Sequence, residues 1–463
     1  MIFSLDIGST VVKGSFTSID GNKKYYASRR LEKSFSPHEW IFVLKEITAE
    51  LTAKSAEKPS VIAVSGNGPT LVAADKNGEL LEPVISWLDR RASGQAEYLS
   101  EVLLEYNFDA SFLLPKALWL KENMPDVYKN TRFFLSAPES VVFRLTGSAV
   151  TVVTGRTFSS YFWDENVFSK IDIDKDKFPR FVSPGTIAGK VSKTASEESG
   201  LPRGIPVIAS GADFIITLLG SGAVFPGRAC DRSGTSEGFN YCSEKLISDR
   251  RLMCYEHIIK PCYNISGIIS TTGKAFDWVK SVLGFTDTGY AALDKQIEKT
   301  SFGAKNLIFL PYLAGERAPL WNPDAKGVFF GLTLDHGRLE MARSVLESAG
   351  FALRHVIETI EENGFEINNF RITGGPSRSP LWNQIKADIT GKRVLVPKDR
   401  ESELTGSYLL ALYALGHIDN LQDSADRFIQ MERVYEPDLK KRALYEDLFM
   451  KYREIYRKLK ELM

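Results

Sequence analysis

The stretch from Ile205 to Phe239 constrains the fold more than any other part of the chain. It reads IPVIASGADFIITLLGSGAVFPGRACDRSGTSEGF: an apolar run of strand length, one carboxylate, an apolar segment rich in small residues, a Pro-Gly turn, a second strand and a Gly-Thr-Ser turn. A buried strand that ends at Gly211 and is followed at once by Asp213 puts a carboxylate at the strand's carboxyl end, where open α/β sheets bind ligands. The turn Ser233-Gly234-Thr235-Ser236 offers backbone N–H groups and hydroxyls to an anion, and Gly234 allows close approach. Taken alone, Asp213 reads equally well as a helix N-cap and residues 233–236 as an ordinary turn. Their combination with the first ten residues favours chemistry.

Phe3 to Ile7 reads as a short buried strand leading into Asp6-Ile7-Gly8-Ser9-Thr10, with Val11 to Phe16 as its hairpin partner. A carboxylate, a glycine and two hydroxyls at such a junction can hold a metal-bound phosphate, and Lys13 adds a positive charge; a polar hairpin is the plain alternative. His38 to Ala53 carries Trp40, Ile41, Leu44, Ile47 and Leu51 at helical spacing, which predicts an amphipathic helix covering a sheet. Val61 to Val64 is the next buried strand. It runs into Ser65-Gly66-Asn67-Gly68-Pro69-Thr70, where Asn67 can bond a polar ligand. Beyond it, Trp87-Leu88-Asp89-Arg90-Arg91 groups an indole, a carboxylate and two guanidinium groups, the mixture of flat apolar face and hydrogen-bond partners that a sugar needs. An Asp-capped helix starting at Arg90 is the other reading.

Leu99 to Thr146 reads as mostly helical with Pro115, Pro125 and Pro138 as breaks, and Thr151 to Asp164 as loop and short strand. Phe370 to Thr373 is a strand ending in Gly374-Gly375, after which a helix opens; adjacent glycines let a flat ligand lie on bare backbone. A charged amphipathic helix over 438–462 presents Leu444, Leu448, Tyr452, Ile455 and Leu459 on one face and closes the chain, docked within it or pairing a homodimer.

At 463 residues the chain outgrows a single core, so an α/β pair of domains is expected, with a cleft between them as the site and the polar run at 243–251 as the boundary. That divides it into residues 1–245 and 246–463. Balanced charge, 58 basic and 58 acidic residues, gives no field favouring nucleic acid or an anionic membrane. No apolar stretch is long enough to span a bilayer and the N-terminus lacks a signal peptide's pattern, so a cytoplasmic location is expected. Cys254, His257 and Cys262 lack a paired short-spacing motif; packed thiols are the expectation.

Taken together, these stretches resemble the FGGY carbohydrate kinases, whose fold is the actin-like, ribonuclease-H-like duplicated ATPase. The resemblance covers essentially the whole chain. Gly327-Val-Phe-Phe-Gly331-Leu332 followed by Glu340-Met341-Ala-Arg-Ser344-Val345-Leu346-Glu347 fits the family's C-terminal signature. In the N-terminal signature Lys116, Trp119 and Glu122-Asn123 fit, while Leu113 and Ala117 do not. The resemblance implies a sugar or polyol kinase using ATP and Mg²⁺. Its first phosphate loop falls on Gly8, Ser9, Thr10 and Lys13, and its second on Gly234, Thr235 and Ser236. The catalytic base falls on Asp213, with Asp6 and Asp213 at the metal. Gly273 and Asp277 belong to a segment near the phosphates, and Gly374, Gly375 and Ser379 to the adenosine site. The acceptor is expected at Asn67, Gly68, Trp87, Asp89, Arg91 and Asp213. Xylulose kinases carry Gln-Met-His-Gly where this chain has Asn67-Gly68-Pro69-Thr70, and the Arg-Glu pair of glycerol kinases is absent; both D-xylulose and glycerol are therefore expected to be poor acceptors. The alternatives are an actin-like or chaperone-like ATPase and a catalytically idle sugar sensor of the same superfold.

Overall fold

The computed structural model describes residues 1–32, 35–103, 108–159, 162–163 and 165–463. Parts of the expected helical stretch (104–107) and of the expected loop (160, 161 and 164) lie outside the described residues. The chain forms two compact units. The first comprises Met1–Gly220, Tyr255–Lys260 and Ser402–Ala425, and the second Ser221–Cys254, Pro261–Glu401 and Asp426–Met463. Residue 245, the expected division, lies within the second unit's segment Ser221–Cys254. The chain leaves the first unit at Gly220, and a late helix, Ser402–Ala414, returns to it. Backbone packing is the cause. A Cβ at Gly220 would lie 1.8 Å from the Ser402 carbonyl oxygen, and one at Gly406 would lie 2.3 Å from that of Ile216. Only two glycines let helices Asp213–Gly220 and Ser402–Ala414 approach this closely.

In the first unit a six-stranded sheet has the order Thr186–Lys190, Pro206–Ala212, Val61–Gly66, Ile2–Ile7, Val11–Thr17, Lys24–Arg30. Ile2–Ile7, Val61–Gly66 and Pro206–Ala212 run parallel, and the hairpin partner Val11–Thr17 is antiparallel to the first. Phe3, Leu5 and Ile7 alternate into one core with Trp40, Leu44, Ile47 and Leu51 of the helix Pro37–Ser55, so the periods of two and 3.6 residues read from the sequence meet on one buried layer. The three prolines expected as breaks stand instead in the first turns of Leu113–Asn123, Pro125–Asn130 and Ala137–Thr146, where a missing N–H costs nothing.

The second unit repeats this plan. Six strands of its seven-stranded sheet lie in the order Tyr263–Ile269, Glu237–Ser243, Ala229–Ser233, Asn369–Thr373, Arg393–Pro397, Met431–Tyr435, with Met253–Glu256 beside the first. Ala229–Ser233 pairs antiparallel with Glu237–Ser243 and parallel with Asn369–Thr373, as Ile2–Ile7 pairs with its own two neighbours. The hairpin turns after Ile7 and after Ser233 therefore hold equivalent places in two copies of one sheet. The terminal helix Leu439–Leu459 buries Tyr445, Leu448, Phe449, Tyr452 and Ile455 in this unit's own core. Among the described residues no helix is long and apolar enough to cross a membrane.

Candidate active site

Carboxylates in the first unit collect at the ends of its parallel strands. Asp6 pairs in register with Ser65, and Ser65 with Gly211. Two strand spacings of about 4.8 Å put the first and third of these strands about 10 Å apart. Asp6 is 5% exposed, with Ser65 Oγ 3.4 Å from its Oδ1. The pairing slips by one residue before Gly211, whose φ of +96° is a glycine conformation. That irregularity ends the strand and delivers Asp213 to the start of helix Asp213–Gly220, where Oδ1 accepts from the Phe214 N–H at 2.7 Å. Asp213 is half-buried. One oxygen thus meets the helix start while the side chain stays partly exposed.

The hairpin turn beside Asp6 is shaped by Gly8, where a Cβ would stand 2.3 Å from the Val11 carbonyl oxygen. Lys13 lies directly across the ladder from Asp6, on the same face. Ser9 is half-buried and Thr10 exposed. The Trp87 indole N–H donates to Ser9 Oγ at 3.1 Å, joining the expected acceptor cluster to the expected phosphate turn. Asp89 accepts from the Arg91 backbone N–H and from its Nε, each at 2.9 Å, and the Arg91 guanidinium lies 4.9 Å over the Trp119 ring. Partial burial opposes ionisation of Asp89, but the bonds from Arg91 prevail and hold its carboxyl below the usual carboxylate range. Gly68 sits where an added Cβ would be 3.2 Å from Ala212 Cβ, so the loop 67–70 abuts the residue before Asp213.

Asn67 is placed differently from the expectation. It is 3% exposed, its Nδ2 donates to the Ile7 carbonyl at 2.8 Å, and its Oδ1 accepts from Thr70 Oγ1. Its amide ties two strand ends together. Lys116, noticed in the sequence only as part of a signature, is fully buried and donates to the Pro69 carbonyl at 2.8 Å and to that of Ser111 at 2.7 Å. Burial pulls its ammonium down to about 7, against the attraction of Asp109 and Asp89.

In the second unit, Gly234, Thr235 and Ser236 close the hairpin between Ala229–Ser233 and Glu237–Ser243, with Thr235 exposed. Two glycines are pressed against this turn. A Cβ at Gly273 would be 2.2 Å from the Gly234 carbonyl oxygen, and one at Gly374 would be 2.0 Å from that of Ser233. The N–H groups of Gly273 and Lys274 donate to the carbonyls of Gly234 and Thr235. The start of helix Gly273–Val282 is therefore occupied by the turn itself, and Gly273 acts by fixing the turn. Asp277 is exposed on the same helix and accepts from the Tyr290 hydroxyl at 2.5 Å. Gly375 has no atom within 4 Å of an added Cβ, and Ser379 Oγ caps helix Pro380–Thr390 by accepting from the Trp382 N–H at 3.0 Å.

Beneath the turn lies a group that sequence reasoning missed. Lys386 Nζ stands 2.7 Å from Asp231 Oδ2, 2.9 Å from Glu237 Oε2 and 2.9 Å from Ser233 Oγ, all fully or almost fully buried. Ser233 and Glu237 are the register pair that closes the turn, and Lys386 belongs to the helix that follows Gly374-Gly375. Burial and the neighbouring Glu237 push the Asp231 carboxyl up to about 8, against the pull of Lys386. A signal was present: Asp231 and Glu237 have the strand parity of Ala229 and Phe239, which face the core. The four cysteines are buried and unpaired as disulfides, and among the described residues no group of three or more His, Cys, Asp or Glu is arranged to hold a metal unaided.

Comparison with known proteins identifies the family. Residues 1–220 match the N-terminal domain of the FGGY family of carbohydrate kinases, and residues 232–415 match its C-terminal domain. The chain is 26% identical to the xylulose kinase of Staphylococcus epidermidis, covering all of this chain and 97% of that one. It is 27% identical to the gluconokinase of Bacillus licheniformis, over 92% of this chain and 90% of the other. The crystal structure of ligand-bound xylulose kinase from Lactobacillus acidophilus superposes with a TM-score of 0.86 at 26% identity, covering 99% and 98% of the two chains.

Proposed function

The chain belongs to the FGGY family of carbohydrate kinases, and we infer from this and from the strand-end geometry of its first unit that Asp213 takes the proton of the acceptor hydroxyl. The enzyme is an ATP-dependent sugar kinase of the actin-like fold. The observation that carries the assignment is the alignment of Asp6, Ser65 and Gly211 across three parallel strands, with the acceptor loop packed on Ala212. A carboxylate at that position accepts a proton as the hydroxyl oxygen attacks, and the protein's contribution is otherwise positioning. Trp87, Asp89 and Arg91 supply the flat face and the polar partners of the acceptor, with Asp89 kept ionised to receive hydroxyl donors. Gly8, Ser9, Thr10 and Lys13 in the first unit, and Gly234, Thr235 and Ser236 in the second, are the turns suited to phosphate. Asp6 and Asp213 are hard oxygen donors suited to Mg²⁺, which binds through one or two carboxylates and the substrate's phosphates; bound there it would neutralise charge on the transferred group. Work in the cytoplasm follows from this metabolic role.

The acceptor we propose is a ketose or related polyol, as in xylulose kinases, but not D-xylulose itself. Support comes from the loop 67–70: the Asn67 amide is engaged with Ile7 and Thr70, and Pro69 has no side-chain donor. A site without the ring donor loses discrimination in favour of sugars that need it. Steady-state kinetics on a panel of ketoses, polyols, sugar acids, D-xylulose and glycerol is expected to give the highest kcat/KM for a compound other than those last two. Either one ranking first would show that the loop does not control the choice.

Gly375→Val tests the nucleotide half. Open space at Gly375 lets the fold accept a side chain, so the KM for ATP is expected to rise at least tenfold (about 1.4 kcal/mol) with the KM for sugar little changed. Gly374→Val, in contrast, meets the Ser233 carbonyl at a φ of +83° and is expected to impair folding. Equal effects of Gly375→Val on both substrates would remove the adenosine from this loop.

A further inference from the structure

Arg371 stands in the strand Asn369–Thr373 in register with Cys230, on the face of the sheet opposite to Lys386. It is 9% exposed, and its Nε and Nη1 have no hydrogen-bond partner. Buried polar groups in folded proteins are almost always satisfied, and a buried guanidinium without a partner is the costliest exception. A second guanidinium lies nearby. Arg228 Nη1 donates to the Gly222 carbonyl at 3.3 Å, and a Cβ built on Gly222 would be 3.6 Å from Arg371 Nε, so both side chains reach the same residue. Among the described residues, the carboxylate paired with them is Asp426, 2.5 Å from Arg228 Nη1. Two cations against one carboxylate leave a positive charge. Water could satisfy the N–H groups but would not neutralise that charge.

We propose that Arg371 and Arg228 form an oxyanion site, separate from the nucleotide-binding turns, that takes a phosphate group either as free phosphate or as a phosphate ester. Guanidinium groups match phosphate through paired N–H donors, and two of them converging on one residue suit a dianion. Burial, and next Arg228, lower the Arg371 pKa to about 10, which still leaves it charged at neutral pH and is the unfavourable state an anion would relieve. The place matters for the enzyme. Ser221 and Asp426 begin two of the three segments that make up the second unit, so an anion here would bind beside the starts of both.

The test is thermal unfolding of the full chain at constant ionic strength, with a saturating non-hydrolysable ATP analogue and Mg²⁺ occupying the nucleotide site, titrated with inorganic phosphate and separately with a hexose monophosphate. Wild type is expected to melt at progressively higher temperature with one or both, as for any ligand that binds only the folded state; the effective titrant identifies the source. Arg371→Met is expected to be no less stable than wild type without anion and to lose the response entirely. Should that variant fail to fold, Arg228→Gln, at a partly exposed position, is expected to weaken the apparent affinity at least tenfold. An unresponsive wild type, or a response that survives both substitutions, would overturn the proposal.

Discussion

Asp213→Asn is expected to lower kcat by about 10²–10⁴-fold while changing the dissociation constant for nucleotide far less. The amide keeps the size of the side chain and can still accept from the Phe214 N–H, so the start of helix Asp213–Gly220 is preserved. What disappears is the capacity to take a proton at neutral pH. Turnover measured with saturating sugar and ATP, alongside nucleotide binding by calorimetry, separates the two. Wild-type turnover in the variant would reduce Asp213 to a helix cap and remove the base from this strand end.

Lys386→Met is expected to destabilise the second unit by about 3–5 kcal/mol, because it leaves a buried pair of carboxyl groups with no cation beside them. Ser233 loses a donor in the same substitution, so the turn it closes loosens and the KM for ATP rises in whatever fraction folds. Glu237→Gln distinguishes charge from shape. It keeps the Lys386–Asp231 pair, and it removes the repulsion that helps to raise the Asp231 carboxyl to about 8. A carboxyl whose folded pKa lies above its unfolded value of about 3.9 stabilises the fold below that value and loses this contribution as pH rises through about 8. Between pH 4 and 8 the wild type should therefore lose stability relative to Glu237→Gln, measured by denaturant midpoints across that range. A difference that does not change with pH would show that Glu237 does not raise the Asp231 carboxyl.

Much of the proposed site is legible in the sequence because it would be built from local signals. A strand-length apolar run, a terminal glycine and a carboxylate mark Asp6 and Asp213, and the duplicated hairpin turns mark residues 8–10 and 234–236. The parts that were not legible rest on contacts between distant segments. Asn67 reads as a ligand until the Ile7 carbonyl, 60 residues away, is found to hold its amide. Lys386 lies 155 residues from Asp231, and in its own helix it looks like an ordinary lysine between Ile385 and Ile389. The return of Ser402–Ala414 to the first unit left no trace either. Its residues are buried almost all round, which signals burial without saying against what, and the glycine that permits the crossing resembles any glycine in a helix.

Transfer of the γ-phosphoryl group from ATP to a sugar hydroxyl is tested by its stoichiometry. Wild-type enzyme with Mg²⁺, ATP and the best acceptor of the panel is followed for ADP and, by phosphorus NMR, for sugar phosphate. One sugar phosphate per ADP is expected, with ADP formation falling to a small residue when the sugar is omitted. ADP released at the same rate with and without sugar, and no phosphate ester formed, would instead describe an ATPase of this fold.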